Sequence, residues 1–525
     1  MRQISLIENN IDRIKSKLTQ AQVAAFFGAI IFGLMAHGFV MFNRLSYHDN
    51  SASLFSLGAT YELGRWGLGI IYDLQLLTTK TFSVPVFNSV LSIVLIGVSA
   101  IVLVDIFQIK SRLIGAIVGA LMVVYPVVTS IFSFMFTSWP YFLGLLLSVV
   151  SARFFTRGIS IKNIVIGAII LACSLGMYQA FLGVTVTIVL FRLFIDVVDA
   201  RIDSVSGYAR DGFGYVVGLV AGLGLWEVLA VLFRRIKGIA TMEYKGMDEG
   251  YDLSLFPAKL LKALQSFFGF RVEGINALRY LRLLTVVAFV IGVVLIVTLL
   301  IRCNNKLSVK LAAIVGIILL PVAMNVIYIL STSDSFIVDS LMLYADLFVV
   351  IIPLVLIERV EVANVLTTAC TYIVLASTVI MTIGYTYLDN AAYLKADLYL
   401  EEAVSYWTAV VADIKACPGF TDDMEIVFVG MDNLSDNTIA EVASNEEMDG
   451  IQLEKYYNSL DAMIRYAGTL DFLREHCGFG NELVSYDDGT YAENATVQAM
   501  PTYPNDGSIA VVDGVLVVKM GEYAD

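Results

Sequence analysis

The sequence predicts an α-helical polytopic membrane protein of about eleven transmembrane helices with a C-terminal extracytoplasmic α+β domain. Three observations predict it. Of 525 residues, 58% are apolar and 15% charged, and mean hydropathy is +0.78, far from the roughly half-apolar, quarter-charged mix of soluble domains. Apolar runs recur near the ~20 residues a helix needs to cross about 30 Å of hydrocarbon, whereas a membrane barrel alternates in segments of about ten. Beyond Leu388 the apolar runs give way to mixed, polar sequence.

Taken in order, residues 1–20 are polar but place Ile4, Ile7, Ile11, Ile14 and Leu18 at helical spacing, the pattern of an amphipathic helix on the inner leaflet. The apolar run that follows is too long for a signal-peptide core, so the first span is expected to remain. Within a membrane domain at 21–388, spans are expected near 22–42, 86–108, 113–134, 139–156, 164–178, 180–196, 212–233, 280–301, 309–330, 341–357 and 365–388. Lys and Arg crowd alternate gaps: Arg13, Lys15 and Lys17, then Lys110 and Arg112, Arg153, Arg157 and Lys162, Arg201 and Arg210, Arg302, Lys306 and Lys310, and Arg359. Positive charge marks the cytoplasmic side, so the N-terminus is expected inside and everything after about Leu388 outside. The loop at 234–279 breaks this rule, with Arg234, Arg235, Lys237, Lys245, Lys259, Lys262 and Arg271 on the outer side.

The tail, 389–525, reads as a compact outer domain. LEEAVSYWTAVVADIKA predicts a helix, MEIVFVG a strand, YYNSLDAMIRYAGTLDFLREHCG a second helix, and SIAVVDGVLVVKM a hairpin turning at Asp513-Gly514. Cys417 and Cys477 each end a predicted helix there, where an oxidising compartment lets thiols pair; two buried free thiols fit equally. No paired-cysteine or His-Glu-x-x-His metal signature and no nucleic-acid motif is present, and a net charge of −13 disfavours polyanionic partners.

Sorted by expected side, the polar residues are lopsided. The outer side holds His48, Asp49, Glu62 and Arg65 in the first loop (43–85), Tyr178 and Gln179 between two short spans, Glu227, the basic loop, Asn325, Asp334, Asp339 and Asp346. The inner side offers little beyond Asp105, Asp196 and Asp199 at span ends. Ionisable groups beside spans are costly and by default line a cavity, so a site should face out. The bland readings differ by residue. Asp49 is also suited to capping a helix that opens at SASLFSLGA; His48 could be merely solvated; Arg65 beside Trp66 could anchor at the interface, although Gly64 and Gly67 suggest a tight turn. Were 51–63 a single helix, Asp49 and Arg65 would lie about 24 Å apart and serve two ends of an elongated substrate.

The HDN after the first span, the GRWGL that follows, the YQ of GMYQA, the YKG at 244–246 and the late DGVLVVK together resemble the membrane glucosyltransferases that modify bacterial O-antigen and related surface glycans, enzymes of the GT-C class. One departure stands out: the family often shows two adjacent carboxylates in the first loop, and here the second is Asn50. The resemblance implies transfer of a hexose, glucose first, from an undecaprenyl-phosphate donor to a surface polysaccharide outside the cytoplasmic membrane, with inversion. It implies Asp49 as general base assisted by His48, and Arg65, Arg234, Arg235 and Lys245 on the donor phosphate. Glu62, Trp66, Tyr178, Gln179, Glu227 and Asp334 are then substrate-binding candidates. A divalent cation, Mg or Mn, is possible if Asp49, Asp334 and Asp339 converge. Other proteins would make and flip the donor. The rival from a different class is a lipid-linked sugar flippase or other transporter, which would show repeated halves and midplane charges; a non-enzymatic scaffold would leave the one-sided cluster unexplained.

Overall fold

The computed structural model describes residues 17–45, 49–242, 252–270, 279–330, 338–360, 365–430, 469–481 and 489–521. Eight helices among them are long and apolar enough to cross a membrane, and a bent pair makes a ninth. These are α1 (Gln20–Phe42), α3 (Pro85–Phe107), the bent pair α4 (Arg112–Val124) and α5 (Pro126–Phe132), α6 (Ser138–Phe155, entered by a short turn from Met135), α8 (Leu182–Val198), α9 (Val205–Lys237), α11 (Arg279–Arg302), α12 (Leu307–Ile318, continued to Met324) and α14 (Val365–Ala416). Two shorter apolar helices, α7 (Ile161–Met177) and α13 (Phe348–Ile357), coincide with the fifth and tenth expected spans. Two helices fall inside the expected loops: α2 (Trp66–Thr78) and α10 (Phe256–Gly269).

The helices start where their sequences cap them. Thr19 closes a capping box with Gln22 ahead of α1, and Ser111, Ser160 and Ser204 each accept a hydrogen bond from the third residue of α4, α7 and α9. Small residues bring α1 and α4 together: a Cβ on Gly119 would stand 1.9 Å from Ala25 O. Lipid offers no hydrophobic drive between helices, so such close approach is what packs them. The bend between α4 and α5 follows from Pro126, which has no N–H for Met122 O and crowds that carbonyl; Tyr125 is extended there, and the axis turns by 40°.

Three expectations change, and the open choice between paired and free cysteines is decided. The helix of the last span does not stop near residue 388 but runs as one 52-residue helix into the tail, since no proline interrupts Val365–Ala416. Residues 51–63 do not form one helix: a single turn, Asp49–Ala52, gives way to bends and then a short 3-10 turn, Tyr61–Leu63. Asp49 is therefore the first residue within that turn and not the cap before a longer helix. Cys417 and Cys477 are free thiols; Cys477 accepts a hydrogen bond from Thr408, and Cys417 donates to Ile509 O. The amphipathic segment at 1–16 and most of the second tail helix lie outside the described residues; its end, α15 (Thr469–Cys477), is helical.

The tail strands form a three-stranded sheet in the order β1 (Ile426–Val429), β3 (Val515–Lys519), β2 (Ile509–Val512), with β1 parallel and β2 antiparallel to β3. Asp513 and Gly514 both take positive φ, 52° and 85°, the geometry of a two-residue hairpin turn matched to strand twist. Alternation sends Phe428 onto Trp407 of α14, ring centroids 5.4 Å apart, and Val427 and Val429 toward Val497 and Met500 on the other face.

Candidate active site

The first loop is tied at both ends before it presents any chemistry. Asn50 is buried, donates Nδ2 to Leu45 O at 2.8 Å and accepts from Ser83 Oγ at 3.2 Å, while Phe82 N donates to Leu54 O at 3.0 Å. The position at which the family often carries a second carboxylate is thus an anchor, and a neutral amide suits it because it donates and accepts at once. Asp49 beside it is exposed. The tail reaches this point: α15 packs against Asp49–Ala52, and Arg44 pairs with Glu475 at 2.6 Å.

The GRWGL and YQ motifs meet in space. Gly64 ends the 3-10 turn in the left-handed region, φ 70°, and two side chains hold its flanks: Gln179 Nε2 donates to Leu63 O at 2.7 Å and Trp226 Nε1 to Gly64 O at 3.0 Å. Trp66 lies face to face with Phe233 at 5.7 Å and so close to Gly176 that a Cβ there would meet the indole at 2.6 Å. Glu62 accepts from Thr60 N at 2.8 Å and so closes its own turn. These contacts fix Arg65, which donates Nη1 to Tyr141 Oη at 3.0 Å and lies over the rings of Tyr141 and Tyr178 at 5.8 and 5.5 Å. Tyr141 and Tyr178 are stacked at 4.2 Å. A guanidinium bonded to a phenol oxygen and set against a stacked pair of rings is fixed in position, and its fork of donors suits an oxyanion.

The basic residues after the seventh expected span begin on α9 itself. Arg234 reaches Glu227 at 3.4 Å, Arg235 is exposed, and Lys237 pairs with Asp73 of α2 at 2.7 Å while lying over the Tyr61 ring at 5.2 Å. Tyr61 Oη also donates to Asp73 at 2.7 Å. Burial first, then the neighbouring Asp73 carboxylate, pushes the Tyr61 phenol well above its ordinary range; burial would also raise Asp73, but the bonds from Lys237 and Tyr61 and the Lys237 charge hold it below the usual carboxylate range. Asn325 Nδ2 donates to Asp346 Oδ1 at 2.8 Å, and Asp339 is buried at the start of a short turn. His48, Lys245 and Asp334 lie outside the described residues. Among the described residues no three His, Cys, Asp or Glu side chains gather as a metal-holding group.

Sequence reasoning missed Tyr61, Asp73, Tyr141 and Trp226, which sit at ordinary apolar or loop positions with no spacing to single them out. It also missed a buried polar set at the α4–α5 bend. The two carbonyls freed there are taken by side chains: Tyr344 Oη donates to Met122 O at 2.6 Å, and His37 Nε2 contacts Val123 O at 2.8 Å while its Nδ1 meets Tyr393 Oη at 2.9 Å. A ring nitrogen facing a carbonyl must donate, so Nε2 carries the proton and Nδ1 accepts. Thr129 Oγ1 donates to Asp389 at 2.6 Å. His37 and Asp389 inside or beside apolar runs were the available signal.

The family model described as Glucosyl transferase GtrII matches residues 38–352, which takes in Asp49, the Arg65 turn, Tyr178, Gln179 and Arg234. No curated protein sequence and no solved structure matches the chain.

Proposed function

The chain belongs to the GtrII glucosyl transferase family and is a multi-helix membrane glycosyltransferase; from that premise we propose that it moves glucose from undecaprenyl phosphate to a cell-surface polysaccharide on the outer face of the bacterial cytoplasmic membrane. The observation that carries this reading is the junction of the GRWGL and YQ motifs, which lie more than a hundred residues apart and meet at Arg65. The reaction is a single displacement. An acceptor hydroxyl attacks the anomeric carbon from the face opposite the phosphate, the C1–O bond to phosphate breaks, and the hydroxyl proton passes to the Asp49 carboxylate, with His48 beside it. Arg65, with Arg234, Arg235 and Lys245, takes the charge that builds on the departing phosphate. Glu62, Trp66, Tyr178 and Gln179 serve the donor by building and backing the turn that presents Arg65, while Glu227 and Asp334 contribute from the neighbouring outer segments. The outer tail, docked on the first loop through α15, binds the acceptor glycan. The charge pattern supports this orientation, with basic gaps inside. A flippase finds less support, because among the described residues the α4–α5 pair is the one span bent sharply at its break, without a matching bend in a repeated half.

The test is transfer of labelled glucose from polyprenyl-phosphate glucose to acceptor glycan in membrane vesicles. Asp49→Asn should lower the rate by about 10²-fold or more, and full activity in that variant sinks the base assignment. Charge reversal at Arg234 and Arg235 should raise the donor KM; an unchanged value removes them from the phosphate site.

A further inference from the structure

The bend between α4 and α5 sits beside two acceptor atoms that the protein leaves open. Asp389 of α14 is 1% exposed; its Oδ1 takes the Thr129 hydroxyl, and its Oδ2 is buried with no hydrogen-bond partner among the described residues. Asn325 is 0% exposed, gives Nδ2 to Asp346, and leaves Oδ1 in the same condition. Tyr125, at the bend itself, lies between their neighbours: its ring packs against Tyr344, two residues before the Asp346 that Asn325 bonds, at 6.3 Å and against Tyr385, one turn before Asp389, at 5.9 Å. The level is set by α1, where Asn390 donates to Met35 O at 2.9 Å and Tyr393 meets His37 at 2.9 Å. That is about 8–11 Å from the end of α1, at 1.5 Å per residue, on the side where α1 leads into the loop that carries Asp49.

Buried acceptors are nearly always satisfied, and an open carboxylate oxygen in a low-dielectric bundle is among the costliest exceptions. The hydrogen bonds at the bend do not reach these two atoms: Tyr344 serves Met122 O, His37 joins Val123 O to Tyr393, and Thr129 serves the other oxygen of Asp389. A divalent cation would want more oxygen ligands than gather here. What two separate acceptors among tyrosine rings suit is a ligand that brings several hydroxyl donors on an apolar ring frame. We infer that Asp389 and Asn325 form a hydroxyl-accepting subsite for the hexose of the lipid-linked donor, inside the bundle and beneath the first loop. The inference rests on the reading of the chain as a polyprenyl-phosphate-dependent glucosyltransferase, and it assigns Asp389 a binding role that no motif marks.

The test compares binding of polyprenyl-phosphate glucose and of bare polyprenyl phosphate to the full-length protein in nanodiscs, with the melting midpoint measured alongside. The wild type should prefer the glucosylated lipid. Asp389→Asn keeps an acceptor for Thr129 but replaces the open oxygen with a donor; it should lose about 10-fold or more of the affinity for the glucosylated lipid, bind the bare lipid as before, and melt at the same temperature or higher. Asn325→Leu should show the same pattern with a smaller loss. If Asp389→Asn keeps the wild-type preference, or if its melting midpoint falls and both lipids bind alike, Asp389 is a structural group and the inference is overturned while the transferase reading stands. If the wild type itself shows no preference for the glucosylated lipid, the donor assignment fails and takes the subsite with it.

Discussion

Two clusters of buried polar groups occupy opposite ends of the helical bundle, and they are built on opposite principles. At the end that the charge pattern assigns to the cytoplasm, Arg192 donates twice to Asp196, at 3.0 and 2.8 Å, and caps Ile106 O; Arg201 reaches the same carboxylate at 3.0 Å; Arg359 joins Asp199 and donates to Phe107 O at 2.6 Å. Glu358 in turn accepts from Lys110 N and Ser111 N. The arginines thus close the carbonyl end of α3 and the glutamate closes the amide end of α4, which is where the helix dipole favours each sign of charge. At the other end, the α4–α5 bend closes its freed carbonyls but leaves Asp389 and Asn325 each with an open oxygen. Even Arg359 Nε, which makes no hydrogen bond among the described residues, faces the Asp199 carboxylate at 3.4 Å; the inner shortfall is thus met by an opposite charge, whereas the bend leaves two acceptors without a donor among the described residues.

The contrast is broken most severely at its closed end. Arg192 and Asp196 are 8% and 12% exposed, so Asp196→Ala strands a guanidinium in the bundle and should cost about 3–5 kcal/mol of stability. Thermal unfolding in detergent measures it, and glucose transfer per folded molecule should stay near wild type. Equal loss of both would mean that the inner network takes part in transfer. Next in size is Tyr344→Phe, which removes the donor to Met122 O in a residue only 2% exposed. It should cost about 1–3 kcal/mol. A negligible change would show that the bend carbonyl finds another partner, and would weaken the claim that this end closes its backbone before it opens its acceptors.

Composition and periodicity made the membrane class legible, because a helix in lipid must carry its own hydrophobic length: among the described residues eight helices and one bent pair are long and apolar enough to cross, and two further expected spans fall on the shorter helices α7 and α13. The bend at Pro126 was missed: 113–134 reads as one span, and the structure divides it. What periodicity could not show is where loops fold back: α2 is WGLGIIYDLQLLT, whose thirteen residues read as neither span nor turn. The Arg65 site was half legible. GRWGL and YQ stood out as motifs, but the residues that join them, Tyr141 and Trp226, sit in apolar runs where an aromatic is most often packing. Asn50 shows the reverse case, a position that resemblance marks as catalytic and that packing makes an anchor. Asp389 ends an apolar run and was passed over as a boundary, since the continuation of α14 through it depends on contacts with α1 and the tail.

A smaller effect separates the Arg65 turn from both clusters. There, a cation is positioned by aromatic faces and one phenol, so Arg65→Lys keeps the charge and loses the planar fork. The expected result is a donor KM raised about tenfold, near 1.4 kcal/mol, with kcat changed less. A lysine that restores the wild-type KM would reduce the requirement to charge alone.

The smallest effect belongs to the Lys237–Asp73 pair, because both side chains are more than a third exposed, at 36% and 39%. Solvent screening limits such a pair to at most about 1 kcal/mol, and Lys237→Ala should cost no more than that. Its pH dependence has a fixed sign. Asp73 is held below its ordinary value of 3.8 in the folded protein, so the pair's contribution is complete above that value and disappears as pH falls through the lower, folded one. Stability curves of the wild type and Lys237→Ala should therefore run apart at neutral pH and converge below about pH 4. Curves that converge on raising the pH instead would mean that Tyr61, and not Lys237, governs the Asp73 carboxyl, and that the aromatic side of this cluster carries the contact between α2 and α9.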